Sequence, residues 1–462
     1  MTFRAFISVL TGKFLRFICR ILRRGGTAAP GRIALKICPD LLKILSENVF
    51  CIVITGTNGK TTCTRIVEEG LHKAGFNCFA NRSGANLIEG IATDFIVNST
   101  LGGKCRFDYA VLETDEAATM QVCLQLQPKV IFVTNLFRDQ VDRFGGVVNT
   151  RNCIRTGIKN APGAVLVLNA DCPVSASLAE DVPNRAVFFG ISSAAADKCG
   201  GKGVTDLEGC IECGGEYEYD YVTFSHLGGY RCKSCGTHRP YPGFEVTDIL
   251  SQTLSGSAIT ASVQEPSADK KVSLELNINL PAVYNIYNGI GSFAALVQSG
   301  VSFSDASSAL AQFKCGFGRM ERLNIGKKGG RMILVKNDAG CNQVLQFLCQ
   351  AEEDFILAIY LNNNISDGVD ISWLENTEFE LLKECRVKHI FVSGMRTEEM
   401  YDRLIRAGIS PEDITKQPDC EALIRALNES EENVFIIPTY TGMMEARSEI
   451  IRQCGGTEFW EG

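Results

Sequence analysis

A chain of 462 residues is longer than one compact core organises and points to two domains with room for an insertion. Its apolar fraction of 45% and charged fraction of 21% are those of an ordinary globular protein, and a net charge of −7 removes any global basic field that would favour nucleic acid. All but four of the 20 cysteines lie singly, many inside apolar runs such as Phe50-Cys51-Ile52-Val53. They read as small buried hydrophobes of a reducing cytosol rather than as a disulfide framework.

The first element in chain order is a helix. Phe3, Ile7, Leu10, Phe14, Phe17 and Ile21 recur at helical spacing, with Arg4, Lys13, Arg16, Arg20, Arg23 and Arg24 between them. No uncharged run reaches the roughly 18 residues of a membrane span. No small-residue cleavage site follows a clean apolar core, so an export signal is not expected. The helix is either packed on its own domain or laid on a membrane surface. Residues 50–55 (Phe-Cys-Ile-Val-Ile-Thr) then form an apolar strand ending in a Gly-rich turn, and a helical pattern runs from Thr61 to Ala74. Strands at 108–112, 130–134 and 164–168 alternate with helical stretches, which indicates βαβ units and a parallel sheet. Ligands of such sheets sit beyond the carboxyl ends of the strands, where each of these hands over to polar residues.

Residues 199–245 break the alternation, being rich in Gly, Cys and aromatic residues, and read as an inserted module. A helix is expected from Tyr284 to Gln298, and a glycine-flanked hinge at Phe317-Gly318-Arg319. A second set of strands follows at Met332–Val335, Phe355–Tyr360, His389–Ser393 and Val434–Pro438. The expected organisation is an amphipathic segment 1–48, a nucleotide-binding domain 49–318 carrying the insertion 199–245, and a separate C-terminal α/β domain 319–462.

Two motifs carry chemistry. Gly56-Thr57-Asn58-Gly59-Lys60-Thr61-Thr62 joins a strand to a helix. Its glycines let backbone approach phosphates, and the helix start offers unpaired N–H donors. Lys60 supplies a point charge from an expected solvated position, and Thr61 a hydroxyl for Mg²⁺. The spacing is shorter than the usual phosphate loop, since Ile54 stands where its first glycine would be. The second motif is Cys210-x2-Cys213, 18 residues, Cys232-x2-Cys235, the spacing of a structural zinc site. His226 and His238 are spare ligands nearby. Tyr217, Tyr219, Tyr221 and Phe224 suit a nucleic-acid-binding ribbon, but the segment is not strongly basic.

The loop ending Thr-Asn-Gly-Lys-Thr-Thr resembles the signature of the Mur ligases and folylpolyglutamate synthases, which phosphorylate a carboxylate with ATP and let an amine displace the phosphate. Leu112-Glu113-Thr114-Asp115-Glu116 resembles the acidic strand end whose glutamate holds Mg²⁺, a role that falls to Glu113. Thr134-Asn135-Leu136-Phe137-Arg138-Asp139-Gln140 resembles the next strand end, with Gln140 where many relatives carry histidine. Tyr284-Asn285-Ile286-Tyr287-Asn288 resembles the adenine-binding segment, implicating Asn285 and Asn288; helix N-terminal capping is the rival role. Arg319 resembles the arginine that reaches the phosphates from the hinge.

A ribbon inserted in the ATPase domain singles out the MurT type among Mur-like enzymes. Asn81-Arg82-Ser83-Gly84-Ala85-Asn86, Leu227-Gly228-Gly229-Tyr230-Arg231-Cys232, Asp367-Gly368-Val369-Asp370-Ile371-Ser372-Trp373 and Pro438-Thr439-Tyr440-Thr441 resemble it too. Departures are Asp338 in place of proline, Cys341 in place of an aromatic and Glu375 in place of tryptophan. The resemblance implies a Mur ligase-type α/β fold using ATP, Mg²⁺ and Zn²⁺, and a cytoplasmic enzyme whose lipid II substrate lies at the inner membrane face. It also implies a GatD-type glutamine amidotransferase partner that supplies ammonia to amidate the α-carboxylate of D-isoglutamate. Such enzymes lend their partner an aspartate, here Asp370 with Asp367 as runner-up, unless both only shape the turn at Gly368. The four histidines, His72, His226, His238 and His389, form no readable triad of the chain's own. Other readings are a ligase that adds an amino acid, and a zinc-ribbon binding protein whose ATP site is a switch.

Overall fold

The apolar run Phe50–Thr55 is β1, central in a nine-stranded sheet and buried along nearly its whole length. A strand covered on both faces needs such a run rather than alternation. The computed structural model describes residues 2–21, 28–81, 85–137, 146–200, 207, 209–253, 255–265, 270–314 and 319–455. It divides into two compact units, one of Met1–Ser251, Ala258–Ile278 and Tyr284–Phe313, the other of Gln252–Ser257, Asn279–Val283 and Lys314–Gly462.

In the first unit, β1 is followed by β2 (Cys78–Ala80), β3 (Tyr109–Glu113), β4 (Val130–Val133), β5 (Val165–Asn169) and β6 (Ala186–Ile191). Then come the hairpin β7 (Tyr217–Phe224) and β8 (Leu227–Cys232), and β9 (Phe244–Thr253), β10 (Gly256–Gln264) and β11 (Lys271–Ile278). The sheet order is β11-β10-β9-β6-β5-β4-β1-β3-β2. Pairing from β2 through β9 is parallel, and the register sets Ile54 opposite Glu113 and Thr55 opposite Val133. The carboxyl ends of β1, β3 and β4 therefore meet on one edge.

Helix α1 (Phe3–Ile21) packs on α2 (Ala29–Ile37), and Gly31 of α2 lies so close to the later helix Ile88–Val97 that an added Cβ would stand 1.9 Å from the Glu89 carbonyl oxygen. Ser8 Oγ donates to Ala34 O at 2.6 Å, and Lys13 Nζ donates to Ser99 O at 2.7 Å. The face that α1 buries is made of Ala5, Ser8, Val9 and Gly12; its large apolar residues point away.

The hairpin β7–β8 pairs antiparallel outside the main sheet. It is anchored by Asp171, wholly buried just past β5. Asp171 Oδ1 accepts from Arg239 Nε at 2.6 Å, and Oδ2 accepts from Tyr287 OH at 2.6 Å and Ile191 N at 2.8 Å. Its carbonyl accepts from Gly228 N in β8. Burial pushes the Asp171 carboxyl above its ordinary value, and Arg239 and the hydrogen bonds pull against it. A buried carboxylate persists only with such partners.

The second unit holds a six-stranded sheet of β12 (Arg319–Leu323), β13 (Gly330–Ile333), β14 (Phe355–Tyr360), β15 (Val387–Ser393), β16 (Ile414–Lys416) and β17 (Asn433–Pro438). Its order is β12-β13-β17-β14-β15-β16, with only the β12–β13 pair antiparallel. One cysteine expectation is corrected here. Cys349 and Cys385, 36 residues apart, are joined in a disulfide rather than lying singly. Both lie at ends of elements that pack together, where chain geometry brings their Cα atoms to 4.3 Å.

Candidate active site

The loop Gly56–Gly59 does not satisfy its own backbone, and the end of β4 does it instead. Thr57 N donates to Asn135 O at 2.9 Å, and Asn58 N donates to Asn135 Oδ1 at 3.0 Å. Asn58 O accepts from Thr134 Oγ1 at 2.7 Å and from Asn135 Nδ2 at 3.1 Å. Gly56 has φ +122°, and a Cβ there would lie 2.4 Å from Thr134 Oγ1, so glycine is required on two counts. Phe137 N closes the seam by donating to Thr57 Oγ1 at 3.0 Å.

Helix α3 (Lys60–Lys73) starts directly from Gly59, which takes φ +87°. The first N–H groups of a helix have no acceptor inside it, so Lys60, Thr61 and Thr62 turn donors and a positive dipole end toward the loop. Lys60 is not solvated, as had been expected, but buried. Its Nζ donates to Gly56 O at 2.5 Å and to Glu116 Oε1 at 2.7 Å. Glu116 is thus the acidic residue brought to the loop lysine, and the reading above had named only Glu113. The signal was present in Glu113-Thr114-Asp115-Glu116, but only the turn after β3 decides which carboxylate faces Lys60.

Glu113 ends β3, its backbone held on both sides by Asn81: its N–H donates to Asn81 Oδ1 and its carbonyl accepts from Asn81 Nδ2, each at 2.8 Å. Its carboxylate has no ion pair or hydrogen bond among the described residues. Burial raises the Asp115 carboxyl above its ordinary value, Glu116 adds to that push and Lys60 opposes it.

Asn285 and Asn288 lie inside a helix of Val283–Gln298, so neither is an N-cap. Asn288 Nδ2 donates to Asn285 Oδ1 at 3.0 Å. Asn288 is packed on the loop, since a Cβ on Gly59 would stand 2.2 Å from its Oδ1. The structure thus brings Asn288 to the phosphate loop together with Lys60. The side chain of Arg319 lies outside the described residues, as do Arg82–Gly84, Arg138–Gln140 and the hinge at 317–318.

The four insert cysteines converge. Their Sγ atoms lie within 4.8 Å of one another, with Cys210–Cys235 at 3.7 Å and Cys213–Cys232 at 3.5 Å. Thiolates about 2.3 Å from a tetrahedral ion stand about 3.8 Å apart, so the donor set fits a zinc-sized ion. Each pair is followed by glycine, Gly214 at φ +75° and Gly236 at φ +77°, which turns the chain back on its knuckle. Gly214 N donates to Cys210 O and Gly236 N to Cys232 O. His226 is not a ligand: it is buried against Phe137, with Nε2 3.4 Å from Cys172 Sγ. Among the ribbon aromatics, Tyr217 packs on Tyr230 and Phe224 on Phe137.

In the second unit, Asp367 and Asp370 separate. Asp367 is buried and accepts from Thr441 N and Thr441 Oγ1, each at 2.6 Å, and from Asn364 N at 2.9 Å. Thr441, in the motif Pro438-Thr439-Tyr440-Thr441, therefore holds this loop down. Asp370 is exposed and accepts from Ser372 N at 2.8 Å and Ser372 Oγ at 2.9 Å.

A strand-end phosphate loop opening a helix is the arrangement of a nucleotide-binding protein, and comparison with known proteins narrows the class to a ligase. The family described as Mur ligase middle domain matches residues 54–210, and that described as MurT ligase C-terminal matches residues 334–443. MurF from Acinetobacter baumannii shares the fold with TM-score 0.66 at 14% identity, covering 91% of this chain and 81% of that one. A pseudomurein peptide ligase type C from Methanothermus fervidus does so with TM-score 0.64 at 20% identity, covering 90% and 80%. The fold is that of the Mur ligases. Subunit MurT of the glutamine-hydrolyzing lipid II isoglutaminyl synthase of Streptococcus pneumoniae is 33% identical over 97% of both chains. The MurT subunit of Staphylococcus aureus (strain COL) is 30% identical over 98% of this chain and 99% of its own. The chain belongs to the MurT family.

Two outcomes follow from this geometry. Lys60→Ala strands a buried Glu116 and is expected to cost about 3 kcal/mol of unfolding free energy. Adding Glu116→Gln should return most of it in denaturant titrations, and equal loss in both would contradict the pairing. Metal analysis should find about one tetrahedral ion per chain, and Cys232→Ser should lose it and lower the melting temperature. A metal-free wild-type chain with the same melting temperature would contradict the cluster's role.

Proposed function

We propose that this chain is the ATP-dependent subunit that amidates the α-carboxylate of D-isoglutamate in the stem peptide of lipid II, on the cytoplasmic side, with ammonia released by a GatD-type glutaminase partner. The observation that carries this reading is the likeness, at 33% identity over 97% of both chains, to a subunit named for a glutamine-hydrolyzing lipid II isoglutaminyl synthase. An amino-acid-adding ligase is the weaker reading, because the C-terminal match is to the MurT description rather than to a general Mur ligase one.

Gly56, Thr57, Asn58, Gly59, Lys60, Thr61 and Thr62 would seat the ATP phosphates through backbone N–H groups, the helix dipole and the lysine charge. Asn285 and Asn288 would border the nucleotide from the helix packed on Gly59, and by its resemblance to the family's arginine Arg319 would join them in binding it. Thr61 and the uncommitted Glu113 would hold Mg²⁺, which offsets charge on the transferring phosphoryl group. Lys60 is held ready by Glu116, so phosphate arrival exchanges one anionic partner for another. The carboxylate oxygen takes the terminal phosphoryl group of ATP and ADP leaves; ammonia adds at the acyl carbon and gives up a proton, and phosphate leaves with that oxygen. Cys210, Cys213, Cys232 and Cys235 would hold Zn²⁺ in a structural role, since four thiolates leave no open position for a reactant.

Asp370 is the residue we assign to the partner's Cys-His pair. It is exposed and aimed by Ser372, beside exposed Val369, whereas Asp367 is consumed by Thr441. A third group of this kind orients the imidazole and stabilises its charged form. In the complex, Asp370→Asn is expected to lower glutamine hydrolysis by about 10³-fold or more, while amidation from added ammonia stays within about twofold of wild type. Parallel loss of both activities, or unchanged glutaminase, would contradict this assignment.

A further inference from the structure

Helix α1 is packed the reverse of the usual way. An amphipathic helix on a globular domain normally turns its large apolar residues to the core. Here Ala5, Val9 and Gly12 face the domain, and Gly12 comes so near Ile96 that an added Cβ would lie 2.8 Å from its Cδ1. Phe3 is 78% exposed, Phe14 and Phe17 61% each, and Ile21 64%. With Ile7 and Leu10 these residues fall within a stripe about 100° wide at 100° per residue, opposite the buried face, and the helix of 19 residues is about 28 Å long.

The charge on this segment is as one-sided as its apolarity. Residues 1–39 contain eight lysines and arginines and no aspartate or glutamate, in a chain of net charge −7. Arg4 and Arg20 are exposed on α1. A second copy of the helix would bring like charges together with no carboxylate on α1 to pair them. No described helix is long and apolar enough to cross a membrane. A basic helix with a bulky apolar stripe and no carboxylate of its own fits the boundary of an anionic bilayer, where the stripe enters the acyl region and the arginines meet lipid phosphates.

We propose that α1 is a membrane-surface anchor that lays the first unit on anionic phospholipid through Phe3, Ile7, Leu10, Phe14, Phe17 and Ile21. The inference stands on the helix alone and does not depend on the amidation reading. Its test is therefore run without substrate. The full chain is floated with vesicles of phosphatidylglycerol and phosphatidylcholine, and with vesicles of phosphatidylcholine only. Binding to the anionic vesicles should exceed binding to the neutral ones by about tenfold or more and fall with salt. Phe14→Ser with Phe17→Ser should lose at least about tenfold in binding at unchanged melting temperature, because both rings are already outside the core. Arg4→Glu with Arg20→Glu should lose about as much on anionic vesicles only. A wild-type chain that floats with neither vesicle, or a doubly substituted Phe14/Phe17 chain that binds like wild type, would overturn the proposal. So would light scattering that shows a dimer which the same two serine substitutions convert to monomer.

Discussion

The phosphate loop depends on a neighbour. Four residues of backbone turn away from both sheet and helix, and their polar groups must be satisfied by something other than themselves. Thr134 and Asn135 do this with four hydrogen bonds to Thr57 and Asn58. That arrangement is possible only because β1 and β4 are adjacent and parallel, so that both chains leave the sheet on the same edge. β3 on the other side of β1 delivers Glu113 and Glu116 to that edge as well. Strand order is thus the constraint from which the site follows, and the carboxyl-end rule for α/β sheets is its general form.

A second tie joins the ribbon to the same place. Asp171 fixes β8 and Arg239 to the end of β5, and also holds Tyr287 on the helix that carries Asn285 and Asn288. Tyr287 OH is 2.8 Å from Thr223 Oγ1 of β7, and Phe224 and His226 rest on Phe137, whose N–H binds Thr57. The inserted hairpin therefore braces one wall of the loop. A metal ion held by the four sulfurs, as proposed above, would replace the core that so small a module cannot build and would stiffen that wall.

The parts legible in the sequence were those where one physical demand leaves few choices. A doubly covered strand must be a continuous apolar run, and Phe355–Tyr360 was read to the residue. A phosphate loop needs glycine at positive φ, and a metal knuckle needs paired thiols. The parts that were not legible depend on where chains meet. In β10 the buried positions are Ser257, Ile259, Ala261 and Val263, and Ser257 and Ala261 among them keep the alternation from standing out. The Asp171 hub showed only as one more polar strand end, since Arg239 lies 68 residues away. The spacing of Cys349 and Cys385 carries no signal of their approach. For α1 the apolar stripe was plain, but its direction was not, because close helix contacts through Gly12 and Gly31 reward small residues over large ones.

The central claim is that a carboxylate is activated by phosphoryl transfer at this loop, and the oxygen that links the two tests it most directly. Lipid II labelled with ¹⁸O in the α-carboxylate of D-isoglutamate, incubated with the chain, its glutaminase partner, ATP and glutamine, should yield inorganic phosphate carrying one ¹⁸O for each amide formed, as mass spectrometry would show. Amide formation with unlabelled phosphate would mean that the carboxylate oxygen never joined phosphorus, and would contradict the account.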